Sequence, residues 1–108
     1  MRVRLRAVLL SFVFLFALSA CSSGRKAADT NAEQVEKITE MFIDAAVRKE
    51  IGNIDEAIAI YEKIIELQAN NSLAYYQLSA LNFEQRNVAS AIEYNEKAIE
   101  LNPKNHWY

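Results

Sequence analysis

The chain has a single histidine, and with it almost no material for a histidine-centred catalytic constellation, which needs a base and a group to orient it. A single cysteine excludes an internal disulfide and a cysteine-rich metal cluster. The only glycines are Gly24 and Gly52, so there is no glycine-rich loop to cradle a phosphate. No stretch alternates apolar and polar residues with period two, which argues against sheets. Positive charge is also short where it would count. Beyond residue 20, nine Lys and Arg face fourteen Asp and Glu, a formal balance of −5. Binding nucleic acid requires a basic patch to displace counterions from phosphate, and an acidic body lacks one. At 108 residues the chain has room for one domain.

The amino terminus is different in kind. Arg2, Arg4 and Arg6 make the first six positions strongly basic, and Ala7 to Leu18 is an apolar run. A run of twelve residues, apolar but for Ser11, fits the core of a signal peptide, roughly 7–15 long, and falls short of the about 20 needed to span a bilayer. Leu18-Ser19-Ala20-Cys21 follows, and then Ser22-Ser23-Gly24. This order of charge, apolar run, small residues and cysteine resembles the lipobox of bacterial lipoproteins. The resemblance implies cleavage before Cys21, a diacylglycerol on its sulfur and usually a further acyl chain on its new amino group. Several buried acyl chains, at about 0.8 kcal/mol per CH₂, hold a protein on a membrane where one chain holds it only marginally. Ser22 stands where inner-membrane lipoproteins of diderm bacteria commonly have Asp, which points to the outer membrane in preference to the inner. Without lipidation, Cys21 would be a free thiol.

Residues 21–30 then read as the acylated cysteine and a flexible tether, small and polar with little to bury. Thr30-Asn31-Ala32-Glu33 has the spacing of a capping box and is a place for a first helix to start. From there residues 31–108 form the expected folded body.

That body is written twice. Laid over Ser72–Asn105, Ile38–Asn71 matches at eleven positions without a gap, among them Ala57/Ala91, Glu62/Glu96, Lys63/Lys97, Leu67/Leu101 and Asn71/Asn105. The offset is 34 residues, and a fixed period of this size marks stacked supersecondary units. Each copy holds two helical segments. Val35, Ile38, Phe42, Ala45 and Ala46 fall at helical spacing, as do Ile54, Ala57, Ile58, Tyr61, Ile64 and Ile65. Gly52-Asn53 between them reads as a helix stop and an N-cap. The second copy breaks at Arg86-Asn87, keeping the cap residue without the glycine. Ala45, Ala57, Ser79 and Ala91 are small enough to let backbones approach, and Tyr61, Leu78 and Ile92 are expected to fill the space between helices. Asn105 repeats the capping Asn71, so His106, Trp107 and Tyr108 stand at the opening of a third unit. That suggests a fragment of a longer repeat protein, or an end covered by a partner.

With Tyr75, Leu78, Ser79, Ala91, Ala98 and Pro103 in the second copy and Met41, Ala45, Gly52, Ala57 and Tyr61 in the first, the body resembles tandem tetratricopeptide repeats (TPR). Asn82 and Asn95 depart from that pattern, which has aromatics there. So do Asp44, Ile64 and Ala69 in the first copy, the more degenerate of the two. The resemblance implies an all-α fold: an α-solenoid of two helix-turn-helix repeats, 38–71 and 72–105, plus the start of a third. In this family the first helices of successive repeats line a concave groove. The matching positions are Thr39, Phe42, Ala46 and Lys49 in one copy and Leu73, Tyr76, Ala80 and Phe83 in the other. Such a surface suits a helix or extended peptide. The alternative is that Phe42, Tyr76 and Phe83 pack between helices. Ile43 and Gln77 stand where family members that clamp a terminal carboxylate carry Asn, so that clamp is not expected.

The pairs Glu62/Glu66 and Glu96/Glu100 read as a solvated helix face, with Glu93 spaced to pair with Lys97. His106 reads as a surface residue. The expected function is therefore binding, without catalysis, cofactor or metal: a lipid-anchored adaptor facing the periplasm that holds a protein or peptide partner. The second reading is an anchoring and spacing segment of a larger lipoprotein, an enzyme or envelope-assembly factor with its active domain elsewhere.

Overall fold

A computed structural model describes residues 29–105. The signal segment, Cys21 and the tether up to residue 28 lie outside the described residues, as do residues 106–108 at the expected opening of a third unit. Residues 29–36 are helical and exposed. The compact unit that carries the repeats begins at Lys37.

The described residues form four helices. α1 covers residues 29–50, α2 Ile54–Leu67, α3 Ser72–Glu84 and α4 Val88–Leu101. They pack as two consecutive helix pairs, and no strand occurs among the described residues. Asp29 and Thr30 are already helical at the first described positions.

The 34-residue period reappears in the backbone hydrogen bonds. α1 closes with the amides of Gly52 and Asn53 donating to the carbonyls of Lys49 (3.0 Å) and Arg48 (2.8 Å). α3 closes identically, with Arg86 donating to Phe83 (2.9 Å) and Asn87 to Asn82 (2.8 Å). This paired closure requires a left-handed residue between the two helices. Gly52 supplies it at φ +86°, and Arg86 at φ +63°. An arginine pays a steric cost there that glycine does not, because its Cβ crowds the following carbonyl. Arg86→Gly is therefore expected to stabilise the fold by about 1 kcal/mol, read as a raised denaturation midpoint with an unchanged denaturant slope.

The sharpness of that turn also corrects the capping assignment. Asn53 and Asn87 occupy N-cap positions, yet neither side chain makes a capping hydrogen bond. Their ψ angles, 64° and 67°, fall short of the extended conformation that aims an N-cap side chain at the first-turn amides. Asn71, in the longer turn between α2 and α3, has ψ 92°, and its Oδ1 accepts from the Ala74 amide at 3.0 Å. Its amide nitrogen donates to Gln68 Oε1 at 2.7 Å, tying the turn together.

The core sits among α1, α2 and α3. Ala45, Ala57, Ile64, Ala74, Leu78 and Leu81 are fully buried, and Tyr61 is nearly so. Small residues at the crossings bring helices close enough for Ser79 Oγ to donate to the Ala91 carbonyl at 2.7 Å, joining α3 to α4. Burial keeps the Tyr61 phenol above its ordinary pKa. Asn82 is buried where the family pattern has an aromatic, and its side-chain amide donates to the Leu78 carbonyl at 2.7 Å. Ile92 does not fill an interhelical space as expected. It is 54 % exposed, while its counterpart Ile58 packs against the core. The difference is one of cover: α3 lies beside α2, and among the described residues nothing takes that place beside α4.

Candidate partner-binding surface

α3 is built differently from its neighbours. Its thirteen residues carry no acid in the first turn and no base in the last, and Glu84 is the only charged residue in it. On a helix, residues three and four apart share a face, and α3 has apolar residues on two faces. Ala74, Leu78 and Leu81 are buried against α1 and α2. Leu73, Tyr76, Ala80 and Phe83, spaced three, four and three apart, form the other stripe. Leu73 is 47 % and Phe83 67 % exposed, and Tyr76 and Ala80 are half-buried. Phe83 is thus a surface side chain and not part of the core.

The α3 half of the expected groove comes together with residues that sequence reasoning passed over. Tyr76, Ala80 and Phe83 line a cavity of about 520 Å³, whose opposite wall is Val88, Ala91, Ile92 and Asn95 of α4. None of its lining residues is charged. The signal for the α4 wall was in the repeat itself, since each of these positions matches a residue of α2 that sits in or against the core. Leu73 does not line this cavity.

The α1 half is placed otherwise. Phe42 meets Tyr61 edge-on, with ring centroids 5.6 Å apart, and packs partly buried against the core. Ala46 is exposed. Lys49 reaches Glu84 of α3, Nζ to Oε1 3.8 Å, so the one base in the expected groove has an acid facing it at the end of the neighbouring first helix. Exposed pairs of this kind contribute about 0–1 kcal/mol. Gln85 adds a second link between the repeats, donating to Asp55 Oδ1 at 2.6 Å. Arg48 joins Asp44 of its own helix, at 3.2 Å, to Glu56 of α2. Those two carboxylates, the Asp44 hydrogen bond first, hold the guanidinium in its charged form.

The acidic faces of the second helices are solvated. Lys97 pairs with Glu100 at 3.3 Å, and Lys63 pairs with Glu66 at the same distance in the other repeat. The lysine thus reaches one turn onward to the acid at i+3, and not back to Glu93 as the spacing alone suggested. Beside it, a smaller cavity of about 300 Å³ is lined by Tyr75, Tyr94, Glu93, Glu96, Lys97 and Glu100. The rings of Tyr75 and Tyr94 lie 6.2 Å apart. Burial raises the Tyr94 pKa, and the carboxylates of Glu62 and Glu93 add to the shift. Among the described residues, no group of three or more His, Cys, Asp or Glu is placed to hold a metal ion, and no helix is long and apolar enough to cross a membrane.

Compared with known protein families, the chain matches the tetratricopeptide repeat at residues 45–71 and again at 73–105, together more than half of its length. A search of curated proteins returned no match.

Proposed function

Because the chain belongs to the tetratricopeptide-repeat family, whose repeats serve protein–protein interaction, we propose that it is a lipid-anchored adaptor that binds a protein or peptide partner. The partner lies on the exposed stripe of α3 and the neighbouring surface of α1, and the protein acts by binding and not by catalysis. Cys21 carries the lipid, and the repeats face the periplasm, at the outer membrane in preference to the inner. The observation that carries the binding role is the stripe Leu73, Tyr76, Ala80 and Phe83. Here a helix already packed on one side shows a second apolar face to solvent. Exposed apolar faces of this kind mark interaction surfaces. The anchor is supported by the order of basic start, short apolar run, Leu18-Ser19-Ala20 and Cys21.

Leu73→Asp and Phe83→Asp test the binding role. Each places a charge on the stripe at an exposed position, where a substitution changes stability by about 0.5 kcal/mol or less. Each is expected to weaken capture of the partner from cross-linked envelopes at least about tenfold, with far-UV circular dichroism unchanged. Unchanged capture with both variants would remove the stripe from the function. Loss of helicity would show that Phe83 supports the fold.

A further inference from the structure

We infer that the cavity between Tyr75 of α3 and the solvated face of α4 binds an alkylammonium group, carried by a free amine or by the lysine side chain of a peptide. The site lies apart from the stripe of Leu73, Tyr76, Ala80 and Phe83, none of which lines it, and it does not rest on the adaptor reading.

The lining supplies the two things that hold such a cation. Tyr75 and Tyr94 bring aromatic rings, with centroids 6.2 Å apart and planes inclined by 41°. A ring attracts an ammonium group within about 6 Å of its centroid, because its quadrupole puts negative potential on the face. Glu93, Glu96 and Glu100 bring three carboxylates against one base, Lys97. Lys97 is taken up by Glu100 at 3.3 Å, so Glu93 and Glu96 meet no base among the described residues. Glu62 of α2 is close enough to add its negative charge to the field at Tyr94. A volume of about 300 Å³ suits a small head group better than a folded segment.

The repeat shows that this lining is not a by-product of the fold. At an offset of 34 residues the same six positions hold Met41, Ala59, Ile60, Glu62, Lys63 and Glu66. The two glutamates and the lysine recur, and alone they mark only a solvated face. Both rings and Glu93 belong to the second repeat. Met41 and Ile60 pack against the core at the matching places, so packing there needs no tyrosine. Nor does the site depend on what stacks against the second repeat. In the first, Ala59, Glu62, Lys63 and Glu66 stay exposed with α3 and α4 in place beyond them. Stacking leaves this face open.

The test titrates the full chain with pentylamine hydrochloride and with the peptide Gly-Lys-Gly blocked at both ends, each a single positive charge. Ionic strength is held constant, and the tyrosine ring signals are followed by NMR. Saturable shifts are expected at Tyr75 and Tyr94 and not at Tyr61. Tyr94→Ile and Tyr75→Met restore the first repeat's residues and its packing, and each is expected to weaken binding about threefold or more. Glu93→Gln, at an exposed position that leaves the fold unchanged, is expected to do the same, and Glu66→Gln to do nothing. No saturation with either probe overturns the inference. Binding unchanged by both Tyr94→Ile and Glu93→Gln also overturns it, reducing the site to diffuse attraction by an acidic surface. Weaker binding of the peptide than of pentylamine supports a site for a free amine, and equal or tighter binding supports one for a lysine side chain.

Discussion

Leu78→Ala is expected to lower the melting temperature of the folded body by more than about 10 °C. Leu78 is fully buried among Ala45, Ala57, Ile64 and Leu81, and it is one of the three largest side chains with no exposure. Truncating a leucine at such a site removes its transfer free energy and leaves a cavity that neighbours fill only in part, about 3 kcal/mol together. A domain of this size has about 4–10 kcal/mol of stability in total and loses about 4–8 °C per kcal/mol. The Asn82 side chain also depends on this segment, since it is satisfied by the Leu78 carbonyl. That bond is to the backbone and survives the substitution, so the expected loss is one of packing alone. Ile92→Ala is the matched control. It removes a comparable side chain from an exposed position and is expected to shift the transition by only a few degrees. Thermal unfolding followed by circular dichroism reads both.

Cys21→Ala is expected to abolish incorporation of a fatty-acid probe and to leave the chain with its basic, apolar amino-terminal segment uncleaved, seen as a larger species than the processed native protein. In the native protein the lipid supplies the attachment energy. A single acyl chain gives marginal, reversible binding, while two or three chains at about 0.8 kcal/mol per buried CH₂ hold a protein of 12.3 kDa firmly. Ala cannot accept the thioether, so the lipid and the cleavage that follows it are both lost. Labelling of the Cys21→Ala protein equal to that of the native chain would remove the lipoprotein reading. It would leave the repeats and their binding surface untouched, because these lie past residue 37.

What the sequence made legible was whatever repeats. The 34-residue offset marks the two helix pairs, and it reappears in the closing hydrogen bonds of α1 and α3, in the Lys63–Glu66 and Lys97–Glu100 pairs, and in the burial of Ala57 and Ala91. Arg86 in place of Gly52 was visible as a departure from that pattern, and it takes the left-handed φ that the shared closure requires. Less legible was whatever depends on backbone angles or on a neighbour. Asn53, Asn71 and Asn87 are the same residue type at similar positions, and only Asn71 caps with its side chain, because only its turn is open enough. Ile58 and Ile92 are the same residue at equivalent positions, and one is covered where the other is not. Assigning the groove to first helices alone missed the α4 wall for this reason. Its residues count as packing when another helix lies on them and as surface when none does.

The measurement that bears most directly on the adaptor account places a photocrosslinking amino acid at residue 73, at residue 83 or, as a control on the solvated face of α2, at residue 66 of the full chain in the envelope of its host. The account predicts a discrete adduct with one other protein from positions 73 and 83 and none from 66. Adducts of equal yield from all three positions, or none from 73 and 83, would contradict it.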